Sequence, residues 1–283
     1  MTVRIVCDTA CDLPTGLATE HGIVLVPLHV RFGEEEFVDR EQLSVQEFWA
    51  RCARSPNLPE TAAPSPGAFG AAFEAAASGG ADGVVCVTLS SKLSGTNEAA
   101  LQAARTLARE IRVEVVDSFS ATLGEGVVAL AAADAAASGA DLAGVVAATE
   151  SARARLSVFG AIDTLENLRK GGRIGGAAAA LGALLSVKPV VEVRDGVVEQ
   201  ESKQRTRAKS LKYLAEKVRS AGPLERLAVM SADAADFGEF VALLDGISSV
   251  HPRFVGDIGP VIGTHAGPGA IGVAWIRLGG GGD

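Results

Sequence analysis

Aromatic and sulfur-containing side chains are scarce in this chain of 283 residues. Aromatic residues make up 5% of it, whereas hydrophobic residues make up 48%. That hydrophobic content excludes an intrinsically disordered protein, and a chain of this length is expected to form two domains. Because large rings are few and Ala and Gly are abundant, the interior must be built mainly from aliphatic and small side chains.

The four cysteines show neither redox-type nor metal-type spacing. No C-x-x-C pair occurs, and the four histidines have no zinc-binding spacing. Cys7 and Cys86 lie in apolar, strand-like runs, so we interpret them as small buried side chains. We therefore expect reduced thiols, a cytoplasmic location, no metal and no cofactor.

Long apolar runs and a positive net charge are also missing. The longest apolar run, residues 175–187, ends at Lys188 and is too short to cross a bilayer. Asp8 interrupts the first apolar run, which argues against a signal peptide. The net charge of −8 argues against a general nucleic-acid-binding protein. We expect neither stable membrane insertion nor a nucleic-acid partner.

One segment nevertheless carries an excess of positive charge. Residues 169–212 contain ten Lys or Arg residues and four Asp or Glu residues. A basic segment in an acidic protein indicates an anionic ligand or an acidic partner. A solvated face with scattered ion pairs would give the same composition, so both interpretations stay open.

Strand-like and helix-like segments alternate through the first half of the chain. The strands are predicted at residues 3–7, 23–32, 84–89 and 111–116, and residues 33–36 are predicted to form a polar turn. Strands separated by helices predict a parallel sheet with right-handed crossovers. Ligands bind beyond the carboxyl ends of such strands, which selects Asp8, residues 90–95 and residues 117–118.

The second half of the chain has a mixed pattern. A strand at residues 158–162 is followed by a hairpin over residues 188–201 with Asp195-Gly196 at its turn. A basic helix and further strands follow. We therefore predict an α/β fold with an N-terminal parallel-sheet domain (1–158), a C-terminal mixed-sheet domain (159–283), and the ligand between them.

A glycine-rich segment at residues 260–272 contains His265. Gly267, Gly269 and Gly272 match the pattern G-x-G-x-x-G, but a dinucleotide site needs a strand before these glycines and a helix after them. A strand-like run follows them instead, which argues against a nucleotide site. The segment is either a turn where a ligand approaches the backbone or a hairpin with an incidental histidine.

Four segments place hydroxyl, imidazole or guanidinium groups where they can meet a ligand. They are residues 61–67, residues 90–96, residues 167–174, and Arg205 taken together with His265. The turn at Ser94-Gly95-Thr96 leads into a predicted helix, whose free N–H groups favour an anion. Ordinary helix capping by these hydroxyl groups is the alternative.

Taken together, these segments resemble the DegV family over essentially the whole chain. The matching motifs are, in order, Asp8 with Cys11-Asp12-Leu13-Pro14, Thr61 with Pro64-Ser65-Pro66, Leu93-Ser94-Gly95-Thr96, Val116-Asp117-Ser118, Gly171-Gly172-Arg173-Ile174, Lys188-Pro189 and Thr264-His265-Ala266-Gly267-Pro268-Gly269. Two positions depart from the family pattern, with Ala62 in place of the usual serine and Asn97 in place of the usual tyrosine.

The resemblance implies a long-chain fatty acid bound between two α/β domains. It implies that Thr61 and Ser94 contact the carboxylate, and the geometry of the turn adds the N–H groups near Gly95. His265, Arg173 and Arg205 would then orient the charged end of the ligand or dock a partner. Candidates for lining the acyl tail are Ala178, Ala179, Ala180, Leu181, Leu184 and Leu185, although plain core packing is the better explanation for each of them taken singly.

Family members include the fatty-acid-binding subunits of bacterial fatty acid kinase. The chain has no G-x-x-x-x-G-K-[ST] loop, so phosphoryl transfer would need a separate ATP-binding kinase subunit. The resemblance thus predicts a lipid-binding subunit, not an enzyme, that presents the carboxylate for acyl-phosphate formation and phospholipid synthesis. One alternative is a lipid-responsive regulatory sensor. Another is a free-standing hydrolase using Ser94 or Ser118, although no G-x-S-x-G motif is present.

Overall fold

The computed structural model describes residues 1–183 and 187–279, with the side chains of residues 180–183 left out. The strands are β1 (Val3–Asp8), β2 (Ile23–Val26), β3 (His29–Phe32), β4 (Glu35–Val38), β5 (Glu60–Ala62), β6 (Gly83–Thr88), β7 (Val113–Asp117), β8 (Leu156–Ala161), β9 (Lys188–Arg194), β10 (Val197–Gln204), β11 (Leu224–Ser231), β12 (Phe254–Asp257) and β13 (Ile271–Arg277). They form three sheets.

The α-helices are α1 (Thr15–Glu20), α2 (Val45–Cys52), α3 (Pro66–Ser78), α4 (Thr96–Thr106), α5 (Leu123–Ala137), α6 (Leu142–Ala154), α7 (Glu166–Lys170), α8 (Arg207–Arg219), α9 (Phe237–Leu243) and α10 (Pro260–Ala266). Two 3₁₀ helices cover Thr9–Cys11 and Gly175–Ala183. None of the helices in the described residues has the length and apolar character needed to cross a bilayer.

The N-terminal sheet is parallel throughout, in the order β2-β1-β6-β7. Helices cover both of its faces: Val128 and Val145 of α5 and α6 lie in one core cluster, and Phe69 and Ala100 of α3 and α4 lie in the other. Burial on both sides explains why β1 and β6 are nearly continuous apolar runs. The predicted parallel sheet is confirmed.

The C-terminal sheet is mixed, in the order β10-β9-β8-β13-β11-β12. All neighbouring strands are antiparallel except the parallel pair β11 and β12. The predicted hairpin joins β9 to β10, and φ is 50° at Asp195 and 82° at Gly196, as a two-residue hairpin turn requires. Leu214 of α8 and Phe240 of α9 pack on the outer face of the sheet, so its inner face is left for α5 and the N-terminal sheet.

Helix α5 lies between the two large sheets and has no exposed face along most of its length. Val128 and Leu130 belong to the core of the parallel sheet, whereas Leu123 and Val127 join the cluster on the inner face of the mixed sheet. The helix therefore couples the two halves of the molecule through apolar packing.

The prediction of one strand over residues 23–32 is wrong. Pro27 has no N–H and a fixed φ, and it separates β2 from β3. The two strands belong to different sheets, because β3 pairs with β4 and β5 in a small antiparallel sheet. The predicted polar turn at 33–36 is also too long, since Glu35 and Glu36 already pair with Phe32 and Arg31 in β4.

The domain boundary at residue 158 stays a prediction. Strand β8 begins at Leu156 and pairs with β9 and β13 of the mixed sheet. A boundary placed before Leu156 would keep this strand whole.

Candidate ligand-binding site

An apolar cavity of about 200 Å³ lies between the parallel and the mixed sheets. Leu28, Leu89 and Ala121 line it from loops that follow β2, β6 and β7, where ligands of parallel sheets bind. The opposite wall is the inner face of the mixed sheet. The aliphatic residues that line the cavity from this face include Val158, Ile162, Val191, Val193, Val198 and Met230. A long apolar group fits such a lining.

Most polar side chains that line the cavity meet at one corner. Thr61 comes from β5, Ser94 and Gly95 from the turn before α4, Arg173 from the loop after α7, and His265 from α10. These are five of the six residues predicted from the sequence, and they come from four separate parts of the chain. We call them the polar corner.

The sixth predicted residue, Arg205, lies elsewhere. It is exposed between β10 and α8, and it is not among the residues that line the cavity. Other cations of the basic segment pair locally: Arg169 with Glu166, Lys188 with Asp163, and Arg194 with Glu192. Part of this segment is therefore a solvated face with scattered ion pairs.

His265 is bound to Thr61 across the polar corner. Its Nε2 lies 3.1 Å from Thr61 Oγ1, and its Nδ1 is buried with no hydrogen-bond partner in the described structure. Burial of the ring, and then the positive charge of Arg173, lower the pKa of His265 to about 4. The imidazole is therefore neutral near pH 7, with one nitrogen able to donate and the other able to accept.

The ring of His265 is positioned by two residues of the segment 167–174. Asn167 Nδ2 donates to the Thr264 carbonyl oxygen at 3.1 Å and so holds the last turn of α10. A β-carbon added at Gly171 would clash with His265 Nδ1, so only glycine leaves room for the ring. The sequence singled out this segment but not these two roles.

Arg173 lies against the turn that contains Ser94. Its Nε donates to the Leu93 carbonyl oxygen at 3.1 Å, and its Nη1 donates to the Gly171 carbonyl oxygen at 2.6 Å. Among the ion pairs of the described residues, none involves Arg173. Its charge is therefore oriented by backbone carbonyls and is free to meet an anion.

The turn at Ser94 leads into α4 and lines the cavity. Ser94 Oγ lies 2.9 Å from Thr96 Oγ1 and accepts a bond from the Thr96 N–H at 3.3 Å. Gly95 occupies the N-cap position of α4 and offers no side chain for capping. Ser94 and Gly95 line the cavity at the amino-terminal, positive end of α4.

The carboxylates predicted near this edge hold loops together instead. Asp8 is fully buried and accepts bonds from the N–H groups of Ala10 and Leu89. Asp117 accepts from those of Ser91 and Phe119. Both residues shape the cavity rim without lining it.

Two of the six residues expected to line the acyl tail do not line the cavity. Ala178 and Ala179 are exposed on the second 3₁₀ helix and do not line the cavity. The side chains of Ala180 and Leu181, together with Leu184 and Leu185, lie outside the described residues. Among the described residues, the wall comes from strands of the mixed sheet, whose inward residues are far apart in sequence.

The glycine turn after His265 has the backbone expected of it, with φ of 80° at Gly267 and 76° at Gly269. Helix α10 precedes the turn and β13 follows it. That order is the reverse of a dinucleotide-binding fingerprint. Within the described residues, no group of three or more His, Cys, Asp or Glu side chains is arranged to hold a metal ion.

Comparison with known proteins decides the family. The profile described as "Uncharacterised protein, DegV family" matches residues 2–278. The chain belongs to the DegV family. A DegV domain-containing protein of Streptomyces coelicolor is 36% identical, with 96% of this chain and 97% of that protein covered.

Solved structures of DegV proteins share the fold of this chain. One from Thermus thermophilus, described as fatty acid binding, matches with a TM-score of 0.88 and 32% identity, covering 98% of this chain and 100% of that one. A stearic-acid-binding protein of Eubacterium ventriosum matches with a TM-score of 0.84 and 27% identity, covering 97% and 98%. The predicted family and fold class are confirmed.

Proposed function

We propose that this DegV protein binds a long-chain fatty acid, with the acyl chain in the apolar cavity and the carboxylate at the polar corner. The observation that carries the proposal is the division of the cavity into one polar corner and an aliphatic remainder. An amphiphile with a single anionic end has the same division. The DegV structures described as fatty-acid-binding proteins support the assignment.

The energetics favour a long chain. Burying about 14 methylene groups at roughly 0.8 kcal/mol each offers about 11 kcal/mol before the costs of binding. A carboxylate buried without partners would cancel much of this gain. Arg173 supplies a positive charge, and Thr61, Ser94 and the N–H groups before α4 supply hydrogen bonds, so the charged end would be satisfied.

Mass spectrometry tests the proposal directly. Native mass spectrometry of the purified protein should reveal one bound molecule, and denaturing mass spectrometry should identify it as a fatty acid. An unliganded mass together with no thermal shift across saturated and unsaturated acids of eight to twenty carbons would contradict it. Thr61→Val and Ser94→Ala should weaken binding, whereas Ser138→Ala, an exposed site at the end of α5, serves as the matched control.

We further propose that the bound carboxylate is the substrate of a separate ATP-dependent kinase subunit. The chain has no nucleotide-binding loop of its own, and Arg173 can stabilise charge that develops on an acyl phosphate. Incubating the protein with ATP, Mg²⁺ and fatty acid should give acyl phosphate only when the kinase subunit is added. Turnover by this chain alone would contradict the proposal.

The exposed Arg205 would contact the kinase and not the lipid. Arg205→Gln should therefore leave fatty-acid binding unchanged and lower phosphorylation. His265→Gln is a different kind of change, because His265 is one of the residues that line the cavity. A lipid-responsive sensor would use the same cavity and is favoured if no kinase subunit accepts the complex. A hydrolase has less support, because the hydroxyl bound to His265 is that of Thr61 and not Ser94.

A further inference from the structure

Two glycines lie opposite each other in the floor of the cavity. Gly160 of β8 and Gly272 of β13 are Cα partners in the antiparallel ladder, and both line the cavity. Val191 of β9 pairs with Gly160, and Met230 of β11 pairs with Gly272. This row across four strands therefore has side chains at its two ends and none in its middle.

A side chain at position 160 would point into the cavity. Val158 and Ile162, two residues before and after Gly160, belong to the inner-face cluster, whereas Phe159 packs on the outer face. Because side chains alternate along a strand, Gly160 shares the inner face with Val158 and Ile162. Met230 covers Gly272, where an added β-carbon would lie 2.8 Å from the Met230 Cγ. The open groove in the cavity floor therefore lies above Gly160, between Val191 and Met230.

Local backbone geometry does not account for glycine at position 160. The positive-φ glycines of the described chain do not include Gly160 or Gly272. A β-carbon at Gly160 would meet Val191 Cγ2 at 3.6 Å, which is ordinary contact, and no atom lies closer. Glycine weakens a strand interior and often marks a place where a ligand approaches the backbone. The free space above Gly160 belongs to the cavity.

We propose that the groove above Gly160, flanked by Val191 and Met230, is the bed on which the acyl chain lies and so determines which fatty acids fit. This inference rests on the proposed fatty-acid binding. β8 leads through Ile162 to α7, and α10 leads through Ala270 to β13, so the polar corner lies at the Ile162 end of the groove. A chain that enters from this corner crosses Gly160 before it reaches Val158 and Val193.

Gly160→Ala is the sharpest probe, since its methyl group fits the protein but takes space from the ligand. The dissociation constants of saturated acids of eight to eighteen carbons would be measured by displacement of a fluorescent fatty acid. The dissociation constant of the eighteen-carbon acid should rise at least tenfold more than that of the eight-carbon acid, and further in Gly160→Val. Far-UV circular dichroism and the melting temperature establish that each variant is folded.

Two other variants sharpen the test. Met230→Ala removes the side chain at the edge of the groove beside Gly272, so the preference should shift toward longer chains. Gly70→Ala, on α3 where an added β-carbon meets no atom within 4 Å, is the matched control and should bind every acid as the parent does.

Three outcomes would overturn the inference, and they are separable. Unchanged affinities for all chain lengths in both Gly160 variants would exclude the groove as the acyl bed. An equal loss at every length in a folded variant would indicate a general structural effect. If the parent protein binds no fatty acid at all, the proposed function itself fails together with this inference.

Discussion

Removing the charge of Arg173 tests the polar corner most directly. Its Nε and Nη1 already donate to the carbonyl oxygens of Leu93 and Gly171, which leaves Nη2 to meet a ligand oxygen. A hydrogen bond to a charged group contributes about 1.5–3 kcal/mol. Arg173→Gln should therefore raise the dissociation constant of a long-chain fatty acid by roughly 10- to 150-fold, measured by isothermal titration calorimetry.

The same substitution should change the titration of His265. Burial is the larger cause of its low pKa of about 4, and the charge of Arg173 is the second. Without Arg173 the pKa should rise while remaining below the ordinary value of about 6.5, because the ring is still buried. A ring that gains a proton below its pKa attracts an anion, so binding by the variant should strengthen at low pH more than binding by the parent. NMR titration of the imidazole resonances measures this.

Arg205→Gln is the matched control, because it removes the same charge from an exposed position outside the cavity. Its fatty-acid affinity should equal that of the parent. If both arginine variants lose the same affinity, general attraction by the basic segment explains the binding. A parent-like dissociation constant for Arg173→Gln would refute the carboxylate site altogether.

Three stability predictions follow from the buried groups. Burial, and then the charge of Asp8, raise the pKa of Glu125 well above its usual value. The folding stability that Glu125 contributes at low pH is therefore lost as pH rises. Glu125→Gln should reduce the difference between the free energies of unfolding measured in urea at pH 5 and at pH 8. Asp12→Ala removes a fully buried carboxylate from its ion pair with the partly buried Arg40 and should cost about 3–5 kcal/mol, measured by urea unfolding. Leu214→Ala empties a fully buried site under the mixed sheet; we expect a loss of about 2–5 kcal/mol by the same assay, with the exposed Lys212→Ala nearly neutral.

Signals that act within a few residues are contained in the sequence itself. Ser44 caps α2 by accepting a bond from the Glu47 N–H, and Ser65 caps α3 from the Ala68 N–H. The Asp195-Gly196 turn joins β9 to β10 as expected. Capping and turn chemistry depend on the residues themselves and on neighbours up to four positions away, so a single sequence contains this information.

The small antiparallel sheet was not predicted from the sequence, because it depends on contacts between residues that are far apart in the chain. Strand β5 has three residues and pairs with β3, about thirty positions earlier. Neither its length nor its composition distinguishes it from a loop, because its existence depends on a partner that only the fold supplies. Thr61 lies on this strand, so its position beside His265 was likewise decided by tertiary structure.

The residues of the polar corner were predicted from several family motifs taken together. A single motif would not have been enough, because capping or a turn also explains each motif taken alone. The roles of Asn167 and Gly171 became visible only when α7 and α10 were placed side by side. Both act on His265, nearly a hundred positions away in the chain.

By itself, the sequence determined the family, the α/β class, the presence of a parallel sheet in the first half and the identity of most polar groups. These follow from local periodicity, from turn residues and from motifs kept in order along the chain. Only the tertiary structure decided which residues share a cavity, because strand pairing and face alternation bring Gly160 and Gly272 together across more than a hundred positions. No local pattern contains the register of such distant strands, which is set by the packing of both sheets around α5.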